Sequence, residues 1–255
     1  MTVIDVVTVR GTGEILGAPT NMLRNVTKEL DHDRFRLLAD CPYPATVGPV
    51  GGRVDGLSER ANIEIGMNSL AAVIRATPNQ VGIIGYSLGA LVVDGFMEAK
   101  ARGEYADCEV AFTACLANPA RREGDSVDSG SHGYGINGPH ADFPAGHVHL
   151  EYANPGDAIT SCAAGSPLRS IADGMGAFGF IELGGWSQDL VDRLLRRRFQ
   201  PINWDWWRNP VQTWQLYNEA ARQVVGYLDG SQHIRAYIEG GYCHRMAETI
   251  NELVR

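Results

Sequence analysis

The sequence predicts an α/β protein: a mostly parallel central sheet with helices on its faces. Two observations point there. β-branched runs alternate with helical patterns over the first two-thirds of the chain. An apolar strand-like run, Val81-Gly82-Ile83-Ile84, also passes through Gly85-Tyr86-Ser87-Leu88-Gly89 into an apolar helical run, Ala90-Leu91-Val92-Val93. At 255 residues the chain accommodates one large α/β domain, or one domain with a modest insertion.

Taken in order, strands are expected near 3–9, 34–38, 80–84, 108–116 and 147–153. Helices are expected near 20–30, where Met22, Leu23, Val26 and Leu30 share a face, near 57–75 and near 88–101. After about residue 160 strands become scarce and amphipathic helical segments take over, notably 186–199 and 210–229. The expected organisation is a main α/β domain from residues 1–160 and 230–255, closed by a last helix over Met246–Val254, with an inserted helical linker or lid subdomain at 161–229. Trp204, Trp206, Trp207 and Trp214 fall within eleven residues of that insertion. They serve either as rings packed onto the sheet or as an apolar lid that binds substrate.

Composition narrows the function. The chain is 44% hydrophobic and 20% charged, as ordinary globular proteins are, and its net charge of −8 argues against nucleic acid or an anionic membrane surface as partner. The N-terminus enters strand-like Val3-Ile4-Asp5-Val6-Val7 without the charged start and cleavage site of a signal peptide, so synthesis in a cytoplasm is expected. No apolar run approaches the roughly 20 residues of a spanning helix. Cys41, Cys108, Cys115, Cys162 and Cys243 are scattered and odd in number, which reads as reduced, buried thiols.

The chemistry centres on Gly85-x-Ser87-x-Gly89. A strand before it and a helix after it make this the nucleophile elbow of an α/β-hydrolase, with Ser87 exposed at a helix N-terminus that favours a developing anion. A serine hydroxyl needs a base, and the base an orienting acid, in the chain order Ser, Asp or Glu, His. His147–Ala153 reads as a strand, and Asn154-Pro155-Gly156-Asp157 as a turn beyond its C-terminal end, which makes Asp157 the candidate acid; the alternative is an Asx-turn aspartate that caps its own loop. Of the histidines after Asp157, His233 lies in a turn and His244 at the edge of the final helix. His233 is the favoured base because it must reach in from a loop. The oxyanion donors are expected to be the backbone N–H groups of Leu88 and of Thr12, in the loop Arg10-Gly11-Thr12-Gly13-Glu14 after the first strand.

Two other readings compete. Gly11-x-Gly13 resembles a dinucleotide fingerprint, but Gly17 comes one position late and Ala18-Pro19 interrupts the helix that should follow. His147-x-His149, with His140, Asp142 and Glu151 nearby, lacks diagnostic ligand spacing, so solvated or hydrogen-bonded histidines are the simpler explanation. The expectation is no metal and no cofactor.

The sequence resembles the mycobacteriophage lysin B family, cutinase-like α/β hydrolases that cleave the ester between mycolic acids and arabinogalactan. The resemblance rests on Thr8-Val9-Arg10-Gly11-Thr12-Gly13, Tyr43-Pro44-Ala45, Gly85-Tyr86-Ser87-Leu88-Gly89, Ala117-Asn118-Pro119-Ala120-Arg121, Glu151-Tyr152-Ala153-Asn154-Pro155-Gly156-Asp157 and Asp229-Gly230-Ser231-Gln232-His233. It implies a triad of Ser87, Asp157 and His233, a helical lid between the last two, and action on the cell envelope during phage-driven host lysis. Tentative substrate contacts are Trp204, Trp206 and Trp207. Arg10 stands where this family often has His, and Leu88 where it often has Gln. The rivals are a general cutinase-like lipase or polyesterase, and a non-catalytic envelope-glycolipid binder on the same fold.

Overall fold

The computed structural model describes residues 3–46, 58–169 and 209–253. Five strands, β1 (Ile4–Val9), β2 (Phe35–Leu37), β3 (Val81–Tyr86), β4 (Val110–Leu116) and β5 (His149–Tyr152), form one sheet in the order β2-β1-β3-β4-β5. Every neighbouring pair is parallel. Parallel strands covered on both faces read as continuous apolar runs rather than alternating ones, and β1 and β3 are buried along their whole length.

The helices are α1 (Arg24–Thr27), α2 (Glu59–Arg75), α3 (Leu88–Ala101), α4 (Pro210–Leu228), α5 (Ala236–Glu239) and α6 (Tyr242–Leu253), with a π-helical turn over Ser231–Arg235 between α4 and α5. α2 opens on Ser58, whose side chain accepts from Ala61 N at 3.2 Å. Leu70 of α2 and Val92 and Val93 of α3 join one apolar core with Val7, Val9 and Ile83; Val26 of α1 and Met246 and Ile250 of α6 join the other with Val6, Ile84 and Phe112. The alternation of neighbouring strand residues between these cores places helices on both faces. The fold is thus the parallel α/β class the sequence predicts.

The helix expected over 20–30 is shorter. Met22, Leu23, Val26 and Leu30 are buried as the pattern requires, but the segment winds mainly through i→i−3 bonds, Arg24 N to Asn21 O, Asn25 N to Met22 O and Val26 N to Leu23 O. The Glu14 carboxylate captures Met22 N–H at 2.6 Å and Asn21 Nδ2 donates to Ile15 O at 2.8 Å, so local polar contacts compete with a regular first turn. The segment expected at 186–199 and the tryptophans Trp204, Trp206 and Trp207 lie outside the described residues. α4 buries Tyr217, Ala220, Ala221 and Val224 in the same core as α2 and α3. No helix among the described residues is long and apolar enough to cross a membrane.

From β1 the chain passes to β2 on one side and returns to place β3 on the other. The connections therefore diverge at the C-terminal ends of β1 and β3, and such a switch point opens a crevice between the two loops that leave the sheet there. Those loops carry Thr12 and Ser87.

Candidate active site

β3 ends at Tyr86 and α3 begins at Leu88, so Ser87 makes the turn alone, at φ 52° and ψ −118°. Positive φ strains a residue with a side chain and persists only where the surroundings fix it. The flanking glycines do so. A Cβ on Gly85 would lie 2.9 Å from Ala90 Cα, and one on Gly89 would stand against the carbonyl oxygens of Val9 and Arg10. Only without those side chains does α3 lie this close to β1 and β3. Leu88 N–H, the first of the helix, has no helical carbonyl one turn back to bond, whereas Ala90 N donates to Ser87 O at 2.9 Å.

Asp157 closes the turn after β5, its N–H donating to Asn154 O at 3.0 Å. The Asn154 amide donates to Gln232 O at 2.8 Å, tying this turn to the one that carries His233. Gly230, left-handed at φ 69°, starts that π-helical turn, and Tyr86 Oη donates to the His233 carbonyl at 2.9 Å. His233 Nδ1 stands 2.8 Å from Asp157 Oδ2 and Nε2 stands 3.0 Å from Ser87 Oγ. A carboxylate only accepts, so Nδ1 carries the proton and Nε2 offers its lone pair to the Ser87 hydroxyl. All three residues are buried. Ile159 N donates to Asp157 Oδ1 at 3.0 Å and Tyr237 Oη to Oδ2 at 3.0 Å. Burial and the nearby Asp157 charge push the Tyr237 phenol well above its usual range, which keeps it a donor.

The loop after β1 is fixed by its own charges. Arg10 Nε donates to Glu14 O at 2.8 Å, and its terminal nitrogens to the carbonyls of Cys41 and Tyr43. Glu14 accepts from Gly11 N at 2.7 Å and Met22 N at 2.6 Å; its carboxyl is raised, chiefly by burial. The donors a phosphate would use are therefore occupied by a carboxylate, which removes the dinucleotide reading. Gly13 N donates to Ala45 O and Glu14 N to Gly11 O, whereas Thr12 N–H takes no part in these bonds and Thr12 Oγ1 is buried without a partner among the described residues.

A cleft of about 460 Å³ opens over Ser87 and His233, lined also by Thr12 and Tyr227. Its apolar rim is Leu228, Ile234 and Ile238, which are 38%, 48% and 44% exposed. A buried serine–imidazole–carboxylate chain under an open apolar cleft has the parts needed to activate a hydroxyl toward a bound acyl group.

Comparison with known proteins places this geometry beside a family model. The PE-PPE domain matches residues 39–159, a stretch that contains Ser87 and Asp157, ends before His233 and is less than half of the chain. No curated protein sequence matches. Among solved structures, lysin B from Mycobacteriophage D29 is similar at 18% identity and a TM-score of 0.48, covering 89% of this chain and 91% of that one. A cutinase-like protein from Cryptococcus sp. is similar at 17% identity and a TM-score of 0.45, covering 71% and 94%. An alpha/beta hydrolase fold protein from Nakamurella multipartita is similar at 13% identity and a TM-score of 0.30, covering 94% and 69%.

The structure brings together Ser87, Asp157 and His233, with Thr12 lining the same cleft and Leu88 buried directly after Ser87 at the start of α3. His244 sits elsewhere, on the surface at the start of α6, bonded to Glu29 and 3.4 Å from Glu248. Trp214, on α4, is 51% exposed. Sequence reasoning missed Tyr237, Tyr86 and the rim of Leu228, Ile234 and Ile238. Spacing offered one usable signal for the rim: Ile234 and Ile238 are four apart, one helical turn, directly after the candidate base.

Proposed function

We propose that this chain is a serine esterase in which Ser87 is the nucleophile, His233 the general base and Asp157 the acid that orients it. The observation that carries the reading is the continuous hydrogen-bonded chain, Ser87 Oγ to His233 Nε2 at 3.0 Å and His233 Nδ1 to Asp157 Oδ2 at 2.8 Å. Ser87 Oγ attacks the acyl carbonyl carbon while its proton passes to His233 Nε2. The resulting imidazolium is stabilised by Asp157, and the oxyanion is held by the Thr12 and Leu88 N–H groups. His233 then protonates the alkoxide leaving group, and a water, deprotonated by the same nitrogen, releases the acid from Ser87. No step requires a cofactor. In this reading α4, which belongs to the insertion expected at 161–229, contributes Tyr227 and Leu228 to the cleft.

The finer reading is that the substrate is the mycolyl ester of arabinogalactan in a mycobacterial-type cell envelope, cleaved during phage-driven lysis. Two things support it: the motif resemblance set out above, and an open apolar rim beside Ser87 suited to a long acyl chain. The alternative is a general lipase or polyesterase with the same triad. Hydrolysis of p-nitrophenyl butyrate by the wild type and by folded Ser87→Ala tests the esterase reading; the variant is expected to lose at least about 10³-fold in kcat, and near-normal turnover would overturn it. Mass-spectrometric release of free mycolate from purified envelope tests the finer reading. Cleavage of triglyceride or polyester without mycolate would favour the alternative.

A further inference from the structure

On the α3 face of the sheet, away from Ser87, a second polar cluster is buried. Asp94 lies two turns along α3 from Ser87, about 10 Å down the helix axis. His149 and Glu151 are two apart on β5 and so share a face, and His140 comes from the loop that precedes β5. One ligand atom from each of Asp94, His140, His149 and Glu151 lies within 4.8 Å of all the others. Asp94, His140 and Glu151 are 3%, 7% and 0% exposed.

Their hydrogen bonding is incomplete in one direction. Asn118 spends both amide protons here, on Asp94 Oδ2 at 2.9 Å and Glu151 Oε1 at 2.6 Å. Asp94 Oδ1, Glu151 Oε2 and His140 Nε2 are nonetheless buried with no partner among the described residues. Orphaned buried polar atoms are costly, and three on residues of one cluster ask for a shared occupant. Each is a lone-pair atom. His140 Nδ1 stands 2.8 Å from Ala141 O, which only accepts, so its proton is on Nδ1 and Nε2 is bare. His149 Nδ1 stands 2.7 Å from Thr113 Oγ1, an outer contact of the kind that orients ligand imidazoles, and Nε2 faces Glu151 Oε1 at 3.0 Å through a proton that an ion would replace. The guanidinium of Arg121 is close enough to feel Glu151, but its donors go to the carbonyls of Thr160, Arg122, His132 and Gly133. His140 Nε2 reaches Asp125 Oδ2 only at 3.8 Å, beyond hydrogen-bond range.

We propose that Asp94, His140, His149 and Glu151 form a structural site for a divalent transition-metal ion of the zinc class. Two imidazoles and two carboxylates suit zinc better than magnesium or calcium, which take oxygen alone, and two carboxylates balance a 2+ charge in a buried place. A tetrahedral ion with bonds near 2.0–2.1 Å sets its ligands about 3.4 Å apart, so rotamer adjustments of about an ångström close the cluster onto it. The ion ties the helix that begins at Ser87 to the strand that leads to Asp157, and holds the His140 loop against both. The sequence reading weighed His147 and Asp142 in this place. His147 instead bonds Thr113 Oγ1 at 2.9 Å and Asp142 pairs with Arg122 at the surface; Asp94, from a different part of the chain, completes the set.

The test uses the full chain, purified from zinc-supplemented growth, stripped by chelator and titrated with Zn²⁺ and then Co²⁺. Expected are one zinc per chain by elemental mass spectrometry, a tetrahedral Co²⁺ visible spectrum, and a thermal midpoint several degrees higher with metal than without. Asp94→Asn and His140→Gln should each lose the Co²⁺ spectrum and weaken Zn²⁺ on the order of 100-fold or more, beyond the 10–100-fold typical of outer-shell changes, while His132→Gln binds as the wild type does. His140→Gln is the variant best placed to fold, because the His140 imidazole makes one hydrogen bond outside the cluster among the described residues, and its backbone bonds to Ala120 and Arg122 are kept. A wild-type chain that binds no stoichiometric metal and gains no midpoint would overturn the proposal, leaving Asp94 and Glu151 to share a proton. So would a folded His140→Gln chain that binds as tightly as the wild type.

Discussion

Tyr237→Phe isolates a contact that the triad geometry makes important and the sequence does not display. The Tyr237 hydroxyl donates to Asp157 Oδ2 at 3.0 Å and accepts from Asn154 N at 3.0 Å, in a fully buried position. The phenylalanine ring fills the same space, so no cavity term enters. A hydrogen bond to a charged group is worth about 1.5–3 kcal/mol, and the orphaned Asn154 N–H costs about 1–3 kcal/mol. The two losses overlap, and a net destabilisation of about 3 kcal/mol lowers the melting midpoint of a domain this size by about 6–12 °C. Asp157 keeps His233 Nδ1 and Ile159 N, so the acid is loosened rather than freed. If roughly half of the lost bond is expressed as the imidazolium forms, kcat falls about tenfold, with KM within about twofold. Steady-state hydrolysis of p-nitrophenyl butyrate and a calorimetric melt read both effects. A variant with kcat within twofold of wild type and an unshifted midpoint would refute the claim that Tyr237 positions the acid.

Other outcomes follow from the same geometry. His233→Ala should abolish turnover while His244→Ala, which loses only surface contacts with Glu29 and Glu248, stays within about twofold of wild type; the reverse ranking in folded proteins would move the base. Ile234→Ala combined with Ile238→Ala should cut kcat/KM for a palmitoyl ester by about tenfold or more and leave an acetyl ester nearly unchanged, since each lost methylene contact is worth about 0.8 kcal/mol; equal losses on both esters would mean that the rim does not hold the acyl chain. All five cysteines are buried, and burial pushes the Cys41 and Cys243 thiols up to about 12, so a thiol-disulfide reagent should modify none of them in the native protein and all five after denaturation. Rapid modification of the native chain would contradict that burial.

The strands were legible because β1 and β3 are buried along their whole length and predominantly apolar, Asp5 and Thr8 being the polar exceptions in β1, as strands covered on both faces are. Ser87 was legible because a strand, two obligatory glycines and a helix leave a turn of one residue; chain order left His233 and His244 as bases, and loop position favoured His233 as the turn beyond a strand end favoured Asp157. Less was readable where local polar chemistry overrides pattern. The 20–30 segment keeps its buried face but loses most of its helix to Glu14 and Asn21. Tyr237 was invisible because its role depends on a π-helical turn that points the residue four places after His233 back at Asp157. The buried cluster was legible only in part: His140, His149 and Glu151 lie near one another in the sequence, but Asp94 comes from α3, and only the tertiary fold brings its carboxylate to them.

Covalent labelling of Ser87 by a fluorophosphonate tests the central claim most directly, because it reads the activated hydroxyl itself and depends on no choice of natural substrate. One phosphonyl group per chain is expected, located on Ser87 by peptide mass spectrometry, absent from Ser87→Ala and slowed by orders of magnitude in His233→Ala. A folded wild-type chain that resists the reagent, or takes it up at another serine, would contradict the account and favour an idle triad on a binding protein.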